Sequence, residues 1–182
     1  SGLVGSDLLK KLIEDNNYKK IKIFIRKESQ INNSKIEIIN TDFNNILSHE
    51  EDIMGDDCFY CIGTTKKNST DKNEYRRIER ELPIEIANIA KKNKVKSFIY
   101  ISSGFANSKS SGEYLRYKGD LEKELIKINF ETLGILRPSF LVGDREEKRI
   151  GEKIGINLFK ILAPLFVGKL KKMKPIKSEA VS

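Results

Sequence analysis

Residues 98–118 read FIYISSGFANSKSSGEYLRYK, and the fold turns on how they are read. Phe98 to Ile101 is a short aromatic and β-branched run of the kind that forms a buried strand. It ends in the hydroxyl pair Ser102-Ser103, crosses a polar loop and enters a helix carrying Tyr114 and Lys118. A four-residue separation on a helix sets the phenol and the ammonium on adjacent turns of one face. A serine at a strand end, a tyrosine and a lysine can together move a proton, provided the surrounding chain places a reactant beside them.

Working outward, the same strand-then-helix rhythm recurs. SGLVGSDLLKKLIEDN opens the chain with Gly2 and Gly5 at the start of an amphipathic helix whose apolar face is Leu8, Leu9, Leu12 and Ile13. A strand is expected from about Ile21 to Ile25 and another from about Lys35 to Ile39, leading through Thr41-Asp42-Phe43 into a short helix. The apolar run DCFYCI is the next strand and enters Gly63-Thr64-Thr65. From about Lys72 to Asn93, Tyr75, Ile78, Leu82, Ile86, Ile89 and Ala90 fall at helical spacing. Pro83 should kink or divide that helix, because proline removes a backbone donor and clashes one turn back. The Tyr114 helix continues through Leu121 and Leu125 to about Ile128, a strand follows from about Thr132 to Leu136, and a Pro138-containing loop comes next. A last helix is expected from about Gly151, and MKPIKSEAVS reads as a strand with the start of a further helix. Helices alternating with short apolar strands predict an α/β fold: a Rossmann-like, doubly wound parallel sheet with helices on both faces. Residues 1–182 read as one domain, with about 143–182 as its small substrate-side part.

In such a sheet a glycine turn follows the first, central strand, whereas this sequence starts within the turn at Ser1. The expectation is a longer natural chain, with roughly ten upstream residues supplying that strand, and further residues after Ser182.

Composition limits the function classes. Hydrophobic residues make up 38% and charged residues 33%, a balance that fits a soluble globular domain. The net charge of +8 would suit an anionic partner, yet lysines are interleaved with Glu and Asp and no nucleic-acid-reading motif is present, so nucleic acid is not expected as a partner. No run reaches the roughly 18 apolar residues of a membrane span, and INLFKILAPLFVG is broken by Lys160 and Pro164. Cys58 and Cys61 form C-x-x-C, which can be a redox pair or half a metal site. With one histidine, His49, and no second pair, they read instead as small core residues of a protein in the reducing cytoplasm.

The pieces S-G-L-V-G, a strand ending in Arg26, C-I-G-T-T, Y-I-S-S, Y-L-R-Y-K and L-R-P-S-F-L-V-G occur in an order that resembles an atypical short-chain dehydrogenase/reductase. More narrowly, the chain is similar to the Tat-interacting-protein-like NAD(P)-binding oxidoreductases. The resemblance implies a Rossmann fold, a dinucleotide and, in catalytic members, hydride transfer. It implies that Gly2, Leu3, Val4 and Gly5 receive the pyrophosphate at a helix N-terminus, where free N–H groups and the helix dipole favour an anion. Arg26 and Lys27 stand where an acidic residue would take the ribose hydroxyls of NAD; two cations favour the 2′-phosphate of NADP, with NAD possible. Asp42 and Phe43 would meet the adenine, although Asp42 can equally cap the following helix. Gly63 and Thr64 would line the ribose region, Thr65 serving equally as a plain turn, and Pro138 and Ser139 would close over the nicotinamide with Arg137 as an anchor.

By the same resemblance Tyr114 is the acid, Lys118 grips the ribose and tunes the phenol, and Ser103 holds the substrate, with Ser102 as the alternative one residue away. Tyr117 points about 100° away around the helix and is excluded. The plain structural alternative makes Tyr114 a half-buried aromatic and Lys118 a solvated side chain. The expected function is NAD(P)H-dependent reduction of a small carbonyl compound. A non-catalytic NAD(P)-binding regulator is the alternative, and a sugar-nucleotide epimerase or dehydratase shares the triad. A homodimer is a family-level expectation.

Overall fold

The computed structural model describes residues 2–26, 28–64, 68–69, 71–139, 141–142 and 176–182. Helix α1 (Leu3–Glu14) leads to strand β1 (Ile21–Ile25), which pairs in parallel with β2 (Ile36–Asn40), Ile21 lying opposite Ile36. A second parallel sheet runs β3 (Asp57–Tyr60), β4 (Ser97–Ile101), β5 (Thr132–Leu136), with Phe98 opposite both Cys58 and Leu133. Two short strands, β6 (Leu141–Val142) and β7 (Ile176–Lys177), form a third parallel pair. Among the described residues β1 and β3 are not hydrogen-bonded to each other.

Parallel strands need crossovers, and helices supply those from β3 to β4 and from β4 to β5. The chain has the Rossmann-like α/β fold expected from its alternating pattern. On α1 only Val4 is buried, while Leu8, Leu9, Leu12 and Ile13 stay half-buried. The turn after β2 is a 3₁₀ helix at Ile46–His49. The helix expected from Gly151 lies outside the described residues, as does most of the 143–182 segment. Within MKPIKSEAVS, Ile176–Lys177 form β7 and Ser178–Ala180 a 3₁₀ turn, which docks on α1 where Lys11 Nζ donates to the backbone oxygens of Glu179 (2.6 Å) and Ser182 (2.9 Å).

Pro83 does divide its helix. Helix α2 (Lys72–Arg76) passes into one π turn (Arg77–Glu81) before α3 (Leu82–Lys92). Asp71 caps α2, its carboxylate accepting from the Asn73 N–H. In the π turn Leu82 N–H reaches back five residues to the Arg77 carbonyl. Pro83, the second residue of α3, has no N–H to give and its ring would press on the Glu79 carbonyl four residues back; widening the turn relieves both problems.

The core lies between the β3–β4–β5 sheet and helices α3 and α4 (Glu113–Ile128). Phe98, Tyr100, Leu82, Ala87, Leu121 and Leu125 are almost wholly removed from water there. Phe98 stacks on Phe130 at 5.1 Å between ring centres. Helix α4 ends at Asn129, whose left-handed backbone (φ 59°) stops it much as a glycine would.

The loop from Ser103 to Gly112 is pressed against α4. Asn107 N–H donates to the Leu115 carbonyl at 3.0 Å, and the chain then crosses directly over Gly119. A β-carbon at Gly119 would lie 2.2 Å from the Ser108 nitrogen and 2.5 Å from the Asn107 carbonyl carbon, so only glycine fits. Gly119→Ala is therefore expected to cost about 2–3 kcal/mol in urea unfolding, with the loop displaced; Gly112→Ala, whose β-carbon would meet only the flexible Ser110 hydroxyl at 3.4 Å, should cost much less.

Cys58 and Cys61 are both free thiols. Burial pushes Cys58 from 9.0 to about 12, helped by Cys61, and burial alone pushes Cys61 to about 11. A raised folded-state pKa favours the neutral thiol, so this contribution to stability is complete below pH 9 and declines as pH rises towards 11–12. Neither cysteine should react with a thiolate-selective disulfide reagent in the folded protein at neutral pH, and both should react in denaturant.

Candidate functional site

The carboxyl ends of β3, β4 and β5 and the N-terminus of α1 are where a doubly wound sheet binds ligands. At α1, Gly2 is the N-cap and offers no side chain to the first-turn amides, and the first turn holds no acidic residue. Gly2 is exposed with open space around it, Leu3 and Gly5 are half-buried, and Val4 is buried. A β-carbon on Gly5 would meet the Cys61 β-carbon at 3.5 Å, which brings the glycine turn against the end of β3. The uncapped, acid-free helix start fits an anionic pyrophosphate.

Arg26 is exposed just past β1, and Lys27 lies outside the described residues. Asp42 does not cap the 3₁₀ helix that follows. Its carboxylate instead accepts from the Asn44 N–H at 2.9 Å and the Asn44 amide at 3.0 Å, and these bonds hold it below the usual carboxylate range. Phe43 is buried in the left-handed region (φ 66°), unusual for a bulky side chain. Its carbonyl accepts from Arg77 Nη2 at 3.2 Å, and the same nitrogen pairs with Glu85 at 2.8 Å. Thr65 also lies outside the described residues.

At the end of β4 the two serines separate. Ser102 is buried, and its hydroxyl donates to Glu122 of α4. Glu122 also receives Arg137 from the end of β5, Nε at 2.9 Å together with an Nη2 contact, and the paired charge raises the Arg137 pKa. Ser102 is thus occupied in bracing two strand ends, while half-buried Ser103 lies next in the chain. Gly104 N–H donates to the Pro138 carbonyl at 2.7 Å, so the loop after Ser103 lies directly beside buried Pro138 and half-buried Ser139.

Tyr114 is 38% exposed and Lys118 only 4%, so Lys118 is not a solvated side chain. Lys118 Nζ sits 5.7 Å from the centre of the Tyr114 ring and 4.9 Å from that of Tyr100, and donates to the Ile101 carbonyl at 3.4 Å. Tyr117 faces elsewhere: its hydroxyl donates to Glu113 at 3.1 Å and Arg80 lies over its ring.

The residue missed from sequence is Glu79. It is 2% exposed and lies 3.1 Å from Lys118 Nζ, while its other oxygen accepts from the Thr64 N–H at 2.5 Å. Gly63 packs against the same carboxylate, a β-carbon there lying 3.4 Å from Glu79 Oε1. An acidic residue in RIERE looks like one charge of a solvated run. The available signal was Pro83 four residues on, which forces the π turn that carries it.

Comparison with known proteins bears on the family and the fold. The NAD(P)H-binding family matches residues 1–154. Protein HTATIP2 of Rattus norvegicus is 31% identical over 165 residues, covering 87% of this chain and 67% of that protein. The mitochondrial protein FMP52 of Meyerozyma guilliermondii is 33% identical over 155 residues, covering 80% of this chain and 64% of its own length. The chain thus spans about two thirds of these relatives. Among solved structures, the Bordetella bronchiseptica enzyme WbmH in complex with NAD+ superposes with a TM-score of 0.71 at 13% identity, over 99% of this chain and 66% of that one. The cytoplasmic expectation does not stand: FMP52 relatives from several fungi are mitochondrial. Two free, half-buried thiols could not have decided the matter, because shielded cysteines survive in many compartments. The chain belongs to the NAD(P)H-binding family, in the HTATIP2-like branch of the atypical short-chain dehydrogenase/reductases.

Proposed function

We propose that the protein is an NAD(P)H-dependent reductase of a small carbonyl compound. The observation that carries this reading is the pairing of an accessible Tyr114 phenol with a buried Lys118 ammonium, 5.7 Å from its ring, at the carboxyl end of β4. A protein that only sensed the cofactor would need the glycine turn but no proton donor. When bound, the reduced nicotinamide supplies a hydride to the carbonyl carbon. Ser103 hydrogen-bonds the carbonyl oxygen and fixes its position. The Tyr114 O–H bond breaks as its proton passes to that oxygen, and the phenolate recovers a proton from water. Gly2 to Gly5 would receive the pyrophosphate, Gly63 and Thr64 would border the ribose with Lys118, Asp42 and Phe43 would border the adenine, and Pro138 and Ser139 would cover the nicotinamide side. Arg26, with Lys27, would select NADP over NAD by pairing with the 2′-phosphate.

A second reading, an NAD(P)-binding regulator without turnover, draws support from the engagement of Lys118 by Glu79 at 3.1 Å. On either reading the chain acts as one domain and can pair with a second copy.

Three measurements test the proposal. Oxidation of NADPH by a panel of aldehydes, ketones and quinones should be visible with the parent protein and fall about 100-fold or more in Tyr114→Phe, with cofactor affinity little changed; turnover indifferent to that substitution refutes the assigned acid, and tight binding without any turnover supports the regulator. Ser103→Ala should lower kcat with a smaller effect on cofactor affinity. Arg26→Ala should weaken NADPH about tenfold and leave NADH nearly unchanged.

A further inference from the structure

The buried carboxylate of Glu79 has no part in the scheme above, yet it meets the residue on which that scheme leans. We propose that Glu79 is a positioning residue that pairs with Lys118 and so weakens the pull of that ammonium on the Tyr114 phenol. This rests on the reading of Tyr114 as the acid.

The geometry carries the argument. Lys118 and Glu79 are 4% and 2% exposed and 3.1 Å apart, so water screens both charges weakly, and among the described residues each is the other's paired counter-charge. The second Glu79 oxygen is held by the Thr64 N–H at 2.5 Å, which fixes the carboxylate in place. An unpaired ammonium beside a phenol draws it towards ionisation; an ammonium already paired with a buried carboxylate does so far less.

Among the described residues, the other groups facing this region do not restore a positive field. Tyr100 from β4, Tyr75 from α2 and Tyr60 from β3 are neutral phenols, and Glu113 and Tyr117 share the helix of Tyr114. Burial raises the pKa of Tyr60, Tyr75 and Tyr100, and in each the Glu79 charge is the next cause. Arg80 lies over Tyr117, and Arg77 is held by the Phe43 carbonyl and Glu85.

The test needs neither cofactor nor turnover. With tyrosine labelled at the carbon bearing the hydroxyl, the Tyr114 resonance, assigned by its loss in Tyr114→Phe, is titrated by NMR in the cofactor-free protein. Glu79→Gln, which keeps an oxygen for the Thr64 N–H, should lower the Tyr114 pKa by about one unit. Glu79→Gln combined with Lys118→Gln removes both charges, leaves no unpaired ion buried, and should return Tyr114 to its parent value. A Glu79→Gln resonance that titrates as in the parent overturns the proposal, as does a double variant whose Tyr114 pKa rises. Should the single variant fail to fold, the double variant is compared with Lys118→Gln alone: the Tyr114 pKa should be higher in Lys118→Gln, where the Glu79 charge stands uncancelled, and equal values overturn the proposal. Absence of carbonyl reduction would sink the catalytic reading and leave this titration interpretable, while an unmoved titration would sink charge cancellation and leave that reading intact.

Discussion

A carboxylate and an ammonium removed from water face each other at 3.1 Å, and four segments of the chain meet at that contact. Lys118 belongs to α4, Glu79 to the π turn between α2 and α3, the Thr64 N–H that Glu79 accepts follows β3, and the Ile101 carbonyl that Lys118 approaches ends β4. Separating two such charges by removing one commonly costs about 3–5 kcal/mol, since the survivor stays buried without a partner. Replacing both by well-packed apolar groups is often neutral, so net stability does not explain the pair. It does place a lysine head at the end of a core strand in one defined orientation.

A second polar brace works in parallel. Glu122 joins Ser102 at the end of β4 to Arg137 at the end of β5, and the Gly104–Pro138 hydrogen bond continues the link into the loops. The strand ends are thereby held at a common level while the hydrophobic core beneath them, built on Phe98, Tyr100, Leu121 and Leu125, supplies the bulk of the cohesion. The loop carrying Ser103 is pinned from the far side where it crosses Gly119. Ser103 and Tyr114 thus sit on segments fixed from beneath and from both sides.

The parallel order of β3, β4 and β5 was readable in the sequence because buried strands leave short apolar runs and crossover helices leave a 3.6-residue period. The triad positions were readable for a related reason, since strand end and helix face are local properties of the stretch from Phe98 to Lys118. Contacts between segments distant in the chain were not. Nothing near Asp42 announces that its carboxylate turns back onto Asn44, and the sequence of Ser102 and Ser103 alone does not say which hydroxyl Glu122 will take, twenty residues later. Glu79 hid for the same reason: its partners lie fifteen and thirty-nine residues away, and its neighbours are charged.

The π turn ahead of Pro83 has a consequence for how this helix compares with those of relatives. A single π turn is geometrically one residue inserted into an α-helix, so residues before it are rotated by about 100° relative to an unbroken continuation. A homologue without the proline and with one residue fewer would present a different side chain at the place of Glu79 while keeping Tyr75 and Ile86 in their roles. A gap-free alignment across this point would then match Glu79 to a residue that points elsewhere. The acid opposite Lys118 is best sought in a relative by superposition rather than by column, and its gain or loss can follow a one-residue indel as readily as a substitution.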